Sequence, residues 1–487
     1  MVREIKWKDA NTPYEKSRLV VQGHNDDGKW DILTQSPTVQ RASIRLLLAL
    51  APALMGNMKK AMIWVRDVTQ AYVQSQTKLN RIVLARIPKH IAHRYPPGSV
   101  MLIVSPLYGV AESGTHWWAT YSTHHLEKLL MKTSTYDPCL LIASDRTNCF
   151  GMVAMQTDDT LGLSDQAFSD LEDKELTNAG FLAKPKQTLS PQSPVTFNGC
   201  VITQNVDGTI DVSQKGQSKK LALIVPQTDT TKQQYVEQRA RGAYVATVCQ
   251  PEACFDLSVA AQTQDPEPED ISRLNKRLQW QIDHQARGLR YIRLDLDKLA
   301  LYVFVDGSFA NNRDLSSQIG YVIILGTEDR ETSNSFTLSG NIVAYSSTKS
   351  KRVTRSALAS ELYAMVQGAD TAYAMATTLE MITERLGSPA IPTVICTDSF
   401  SLYECLVKLG TTKEKRLMID IMALRQSYER RELAEIRWIN GEDNIADAMT
   451  KTNPNKALEA FINRNKATIR VEGSVARPKS ARSGEGV

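Results

Sequence analysis

Two adjacent carboxylates, Asp158 and Asp159, sit between short apolar runs in "GMVAMQTDDTLGLS", residues 151–164. The pattern predicts a hairpin. Met152 to Met155 form a half-buried strand, Leu161 and Leu163 alternate with Gly162 and Ser164 on the return, and the acids fall at the turn. Two like charges ~4 Å apart repel by about 1 to 4 kcal/mol, so a cation belongs beside them. A hard divalent ion such as Mg²⁺, which takes oxygen ligands and leaves positions open for phosphate, meets that need. An isolated Asp-Asp pair is also an ordinary solvated turn, so its partners decide. One lies upstream in "AMIWVRDVTQAYVQS", where the apolar run Met62 to Val65 delivers Asp67 to a strand end, and Tyr72 follows five residues later. One carboxylate at a strand end plus two at a hairpin tip is the minimum set for two metals on a nucleoside triphosphate and a primer 3′-hydroxyl.

A second set of acids begins after Leu301. "LYVFVDGS" predicts an apolar strand ending on Asp306, residues 319–325 and 341–347 two more strands, and residues 356–386 a long helix with Glu361 near its start. "TVICTDSF" predicts a buried strand ending on Asp398, followed by a helix, the strand "LAEIRWIN", and "EDNIADAMTK", which places Asp447 in a last helix. One Asp at a strand end is more often a cap or turn residue than a ligand. Four acids in this order are a different matter, because βββαβαβ with a final helix is the ribonuclease H topology and each acid falls where that fold puts a metal ligand.

The first set, taken with its flanks, resembles the reverse transcriptase of copia-type LTR retrotransposons, especially the fungal ones. The family's Tyr-Val-Asp-Asp box appears as Gln156-Thr157-Asp158-Asp159, and its Leu-Tyr-Gly motif as Leu107-Tyr108-Gly109 followed by Trp117. The motif departs in the middle, with Glu112-Ser113-Gly114 where the family has Gln-Ala-Pro and Thr115 where it has a base. A carboxylate cannot donate hydrogen bonds as an amide does, so the loop's template and nucleotide contacts are not carried over. In "YEKSRLVVQG" the resemblance assigns Arg18, with Lys16 beside it, to neutralising an incoming triphosphate; a solvated strand edge uses such charges too. Tyr72 has two readings, a core aromatic or, at the family's steric-gate spacing from Asp67, a ring that excludes a ribose 2′-hydroxyl.

What must position these residues is a multidomain α/β and α+β chain, since 487 residues exceed one core. The resemblance implies a right-hand polymerase with fingers and palm over 1–225, a thumb or connection over 226–297, and a ribonuclease H-like domain with a mixed five-stranded sheet over 298–460. Residues 461–487, with scattered Arg, Lys, Gly and Ser, read as a disordered basic tail. "LTQSPTVQRASIRLLLALA" predicts an amphipathic helix capped by Ser43, and Asp207-Gly208 a strand turn. "QDPEPED" reads as an acidic loop, and His116, His124 and His125 as surface or core residues of a helix.

The balance of 58 Lys+Arg to 53 Asp+Glu is only mildly basic, so net charge does not argue for nucleic acid. Seven cysteines without a Cys-x-x-Cys pair read as buried thiols. No signal peptide or membrane span is expected, because the longest apolar run, Leu46 to Met55, is broken by Pro52. The resemblance therefore implies the C-terminal part of a Pol polyprotein, without gag, protease or integrase. It would be an RNA-directed DNA polymerase and RNA–DNA hybrid nuclease using Mg²⁺, or Mn²⁺ in its place, with Asp67, Asp158 and Asp159 as ligands in one site and Asp306, Glu361, Asp398 and Asp447 in the other. Its partners would be RNA template, DNA primer, RNA–DNA hybrid and dNTPs, in a cytoplasmic particle or the nucleus. Two rivals stay open: a non-catalytic nucleic-acid-binding relic, and a protein in which only the ribonuclease H works.

Overall fold

The structure is a computed structural model and describes residues 2–7, 12–58, 61–226, 229–332, 334–407 and 412–476. Its chain contacts divide it into two units, Met1–Gln40 with Ile63–Gln187, and Arg41–Met62 with Thr188–Val487. The linear boundary expected at 225 is therefore not where contacts separate, because residues 188–225 group with the second unit.

In the first unit six strands form one sheet: β1 (Met62–Asp67), β2 (Met131–Thr133), β3 (Leu140–Ala143), β4 (Gly151–Gln156), β5 (Asp159–Ser164) and β6 (Gln187–Thr188), in the order β6-β1-β5-β4-β3-β2. The expected hairpin is β4–β5, with Gln156 opposite Asp159, so that only Thr157 and Asp158 make the turn and Asp159 already belongs to the return strand. Trp64 fixes the neighbour register. A Cβ on Gly162 would lie 2.2 Å from its ring, and its Nε1 donates to Ser164 Oγ at 2.9 Å. The helix Ser113–Lys128 presents Trp117, Tyr121 and His125 at four-residue spacing, one face of a helix. Trp117 stacks on Tyr121 at 4.9 Å and Tyr121 meets His125 edge-on at 4.5 Å. His124 and His125 are buried core residues, as expected.

In the second unit a helix runs Arg41–Ala53, starting two residues before the expected cap, so Ser43 is a buried interior residue. Pro52 does not end the helical path, which continues as a π-helical turn over Leu54–Met58. Strands Val195–Phe197, Cys200–Gln204, Ile210–Gln214 and Leu289–Tyr291 form an antiparallel sheet, with the expected turn at Gly208 in the left-handed region, φ 83°. Three helices, Thr231–Cys249, Cys254–Ala260 and Pro268–Asp283, share a core of Tyr235, Leu257 and Leu278 among others. The end of the expected acidic loop instead opens the third of these helices, where Glu267 and Asp270 form a capping box and Pro268 takes the first turn.

The remaining strands are β7 (Ala300–Ser308), β8 (Gln318–Thr332), β9 (Ser335–Lys349), β10 (Thr393–Thr397), β11 (Glu435–Ile439) and β12 (Lys466–Ala476). β7, β8 and β9 are antiparallel neighbours, while β10 pairs parallel with both β7 and β11. The long helix Ala357–Leu386 is capped by Ser356 and ended by Gly387 in the left-handed region. Two features correct the expectation. The sheet has six strands rather than five, because β12 pairs with β9 and β11 and closes the ring. Residues 461–476 are accordingly helix and strand rather than disordered tail, and residues 477–487 lie outside the described residues. Among the described residues no helix is long and apolar enough to cross a membrane, and all seven cysteines are free.

Candidate active sites

In the second unit the structure brings three of the four expected acids together. Asp306, Glu361 and Asp398 each offer an oxygen, and the three lie within 4.8 Å of one another, the one such group of His, Cys, Asp or Glu among the described residues. Asp306 lies two residues inside the end of β7 and Asp398 one residue past the end of β10, two strands that pair in parallel. Glu361 comes from the first turns of the long helix, which reaches β7 because residue 307 is glycine: a Cβ there would lie 2.4 Å from the Ser360 carbonyl carbon.

Burial, opposed in part by Lys451 and reinforced by Asp398, pushes the Asp306 carboxyl up to about 6. Burial first, and Asp306 and Asp398 next, raise Glu361 well above the usual carboxylate range, and burial raises Asp398. Glu361 Oε2 and Asp398 Oδ1 are buried with no hydrogen-bond partner, a costly state for anionic oxygens. An all-oxygen donor set with two such atoms fits a hard divalent cation.

Asp447 stands apart from this group. It lies in a 3₁₀ turn, Ile445–Met449, ahead of the last helix rather than in it. Its Oδ1 pairs with Lys451 Nζ and its Oδ2 accepts from Asn455 N at 2.7 Å.

In the first unit Asp67 and Asp158 are electrostatic neighbours, but they and Asp159 do not converge as the second set does. Thr157 takes φ 55°, an outlier for a β-branched residue. Two backbone contacts hold the turn: Trp117 Nε1 donates to Thr157 O at 2.7 Å, and Val68 N donates to Asp158 O at 2.8 Å. Although Asp158 is exposed at the tip, its carboxyl is pushed above the usual range, by partial burial first and then by Asp67. Asp67 is paired with Lys184 Nζ, and Lys184 N donates to Asp67 O at 2.9 Å. The strand that carries Asp67 is anchored by Arg66, which donates to the buried Glu172 at 2.7 Å; breaking a buried pair of this kind costs about 3 to 5 kcal/mol.

Tyr72 is half-buried in the turn Ala71–Gln74, its ring 5.1 Å from that of Tyr108. Arg18 lies 5.8 Å over the Tyr108 ring, and its charge reaches Asp158. Gly109 makes this approach feasible, with φ 87° and a Cβ position only 1.9 Å from Val21 O. Lys16 pairs in register with Glu4 in a two-stranded antiparallel sheet.

Glu112 has an occupation of its own. Arg81 donates to both of its oxygens at 2.8 Å and also holds Asp26, so the residue is a structural anion, held below the usual carboxylate range by that guanidinium.

Sequence reasoning missed Lys184, Arg81, Thr450 and Lys451. Lys451 alone had a local signal, four residues after Asp447. It also missed an exposed surface where Lys351, Arg352 and Arg355 precede the long helix and Lys413, Lys415 and Arg416 join them through Arg416 Nη2 to Val353 O at 3.2 Å, with Arg352 paired to Asp420 and Arg416 to Glu414.

Residues 2–220 match the family described as reverse transcriptase (RNA-dependent DNA polymerase). No curated protein matches the chain. Among solved structures it is similar to RNase H1 from the halophilic archaeon Halobacterium salinarum, at 19% identity over 34% of this chain and 98% of that one, TM-score 0.22. It is also similar to LC11-RNase H1 in complex with RNA/DNA hybrid, at 18% identity over 32% of this chain and 99% of that one, TM-score 0.23. A third is the prototype foamy virus protease-reverse transcriptase, at 11% identity over 90% of this chain and 70% of that one, TM-score 0.21.

Proposed function

We propose that the chain is a copia-type RNA-directed DNA polymerase joined to a ribonuclease H, both working by metal-assisted phosphoryl transfer. The observation that carries the nuclease half is the convergence of Asp306, Glu361 and Asp398 with two unpartnered oxygens. For the polymerase half, the family match over residues 2–220 and the neighbouring Asp67 and Asp158 give the support. Bound Mg²⁺ would supply Lewis-acid stabilisation of phosphoryl oxygens and activation of a water or 3′-hydroxyl.

The chain's own residues do the rest. Asp306, Glu361 and Asp398 would hold a divalent cation, and the basic residues ahead of the long helix would take a hybrid's backbone phosphates without reading bases. In the first unit Asp67, Asp158 and Asp159 would hold the cations, Arg18 would meet the triphosphate, and the half-buried Tyr72 would bear on the sugar.

One observation favours the reading in which only the nuclease works: Asp67 is engaged by Lys184, and its set is not converged. Two substitutions separate the readings. Asp158→Asn lowers primer extension by at least ~100-fold and leaves hybrid cleavage intact, while Asp398→Asn does the reverse. Wild-type extension by Asp158→Asn would remove the hairpin from the polymerase site.

A further inference from the structure

Asp306 is gripped by two consecutive residues that no part of the reaction described above uses. Thr450 Oγ1 donates to its Oδ2, and Lys451 Nζ lies 3.6 Å from its Oδ1 while pairing with Asp447. The segment that delivers them is held by four backbone contacts. Asn444 Nδ2 donates to Val305 O at 3.0 Å, Asn311 Nδ2 to Thr450 O at 3.3 Å, Ser347 Oγ to Met449 O at 2.5 Å, and Thr450 N to Asp447 O at 3.2 Å. The approach is also tight sterically, since a Cβ on Gly320 would fall 2.3 Å from Met449 Cβ. Lys451 is the cation whose field reaches Asp306, Glu361 and Asp398 alike. Its side chain remains 42% exposed, so the ammonium has room to swing on its flexible stem.

We propose that Lys451 is a resident counter-ion of the acid cluster: held between Asp447 and Asp306, its ammonium partly neutralises Asp306 and opposes the entry of a divalent cation. The inference rests on the reading of the cluster as a cation site. A fixed positive charge a few ångströms from the ligands lowers cation affinity by direct repulsion and by occupying a ligand oxygen. Asp447 holds the ammonium in place, its other oxygen being fixed by Asn455 N.

The test is Mn²⁺ binding to the full chain, followed by titration calorimetry with no nucleic acid present, in an Asp158→Asn background that weakens the other acid set. Asp398→Asn identifies which part of the isotherm belongs to this cluster. Lys451→Met, with Lys451→Gln as a second variant should the first fold poorly, should bind Mn²⁺ on the order of tenfold tighter. Lys451→Arg, which keeps the charge, should stay near the parent affinity. Unchanged or weaker binding by the neutral variants, with the Asp398-sensitive component present, would overturn the counter-ion role and leave the cation site standing. Equal tightening in Lys451→Arg would overturn it as well. The absence of any Asp398-sensitive component would overturn the cation site and the inference with it.

Discussion

At the scale of single residues, the two acid sets differ in how their charge is handled. Asp306, Glu361 and Asp398 are crowded and mostly buried, so the ionised state of each is opposed by its neighbours. Asp67 is exposed enough to pair with Lys184, and Asp158 stands at a strained tip. Tyr72 belongs to this second environment. Its half-buried ring meets Tyr108 rather than a closed core, and this argues for the sugar-sensing reading. Tyr72→Val should therefore raise ribonucleotide over deoxynucleotide incorporation on the order of tenfold, measured by single-nucleotide extension. A melting temperature lowered as by a core truncation of about 3 to 5 kcal/mol, with unchanged sugar selectivity, would return Tyr72 to the core.

At the scale of elements, the acids were legible and the cations were not. Asp306 and Asp398 follow apolar runs whose length and β-branched content announce buried strands, and Asp158 and Asp159 sit between two such runs. Lys184 meets Asp67 across 117 residues of sequence and Arg81 meets Glu112 across 31, with no periodicity to flag either pair. β12 was hidden by composition: its alternation is real, but only Ile469 is deeply buried, and Lys, Arg, Glu, Gly and Ser interrupt its apolar positions.

Two elements carry predictions. Gly307→Ala forces β7 and the long helix apart, and overpacking of this kind costs about 1 to 3 kcal/mol. Displacing Glu361 by ~1 Å should cut hybrid cleavage about 100-fold while primer extension holds, which parallel assays would read. In the Ser113–Lys128 helix, burial and His124 push His125 down to about 3. Its folded value lies below its unfolded one (~6.5), so the unfolded chain takes the proton first, and stability present above ~6.5 is lost as pH falls toward about 3. Between pH 7 and pH 4.5 this one group should cost about 2 to 3 kcal/mol. Thermal melts of wild type and His125→Phe across that range should show a smaller acid loss in the variant; equal losses would contradict the assignment.

At the scale of the whole molecule, two units carry two acid sets, and each set lies within one unit. The path of the chain departs from a linear run of domains: Arg41–Met62 belongs with the second unit although it is flanked by the first. No local pattern foretells that, since a helix buried against either unit shows the same apolar face. Because each site is self-contained, the two activities should be separable by substitution and share only their need for a divalent cation. The most direct measurement puts the wild-type full chain on poly(rA)/oligo(dT) for primer extension and on an RNA–DNA hybrid for cleavage, each with Mg²⁺ and with EDTA. Extension and RNA cleavage with Mg²⁺, both abolished by EDTA, are the predicted result; no cleavage with Mg²⁺, or cleavage that persists in EDTA, would contradict the account.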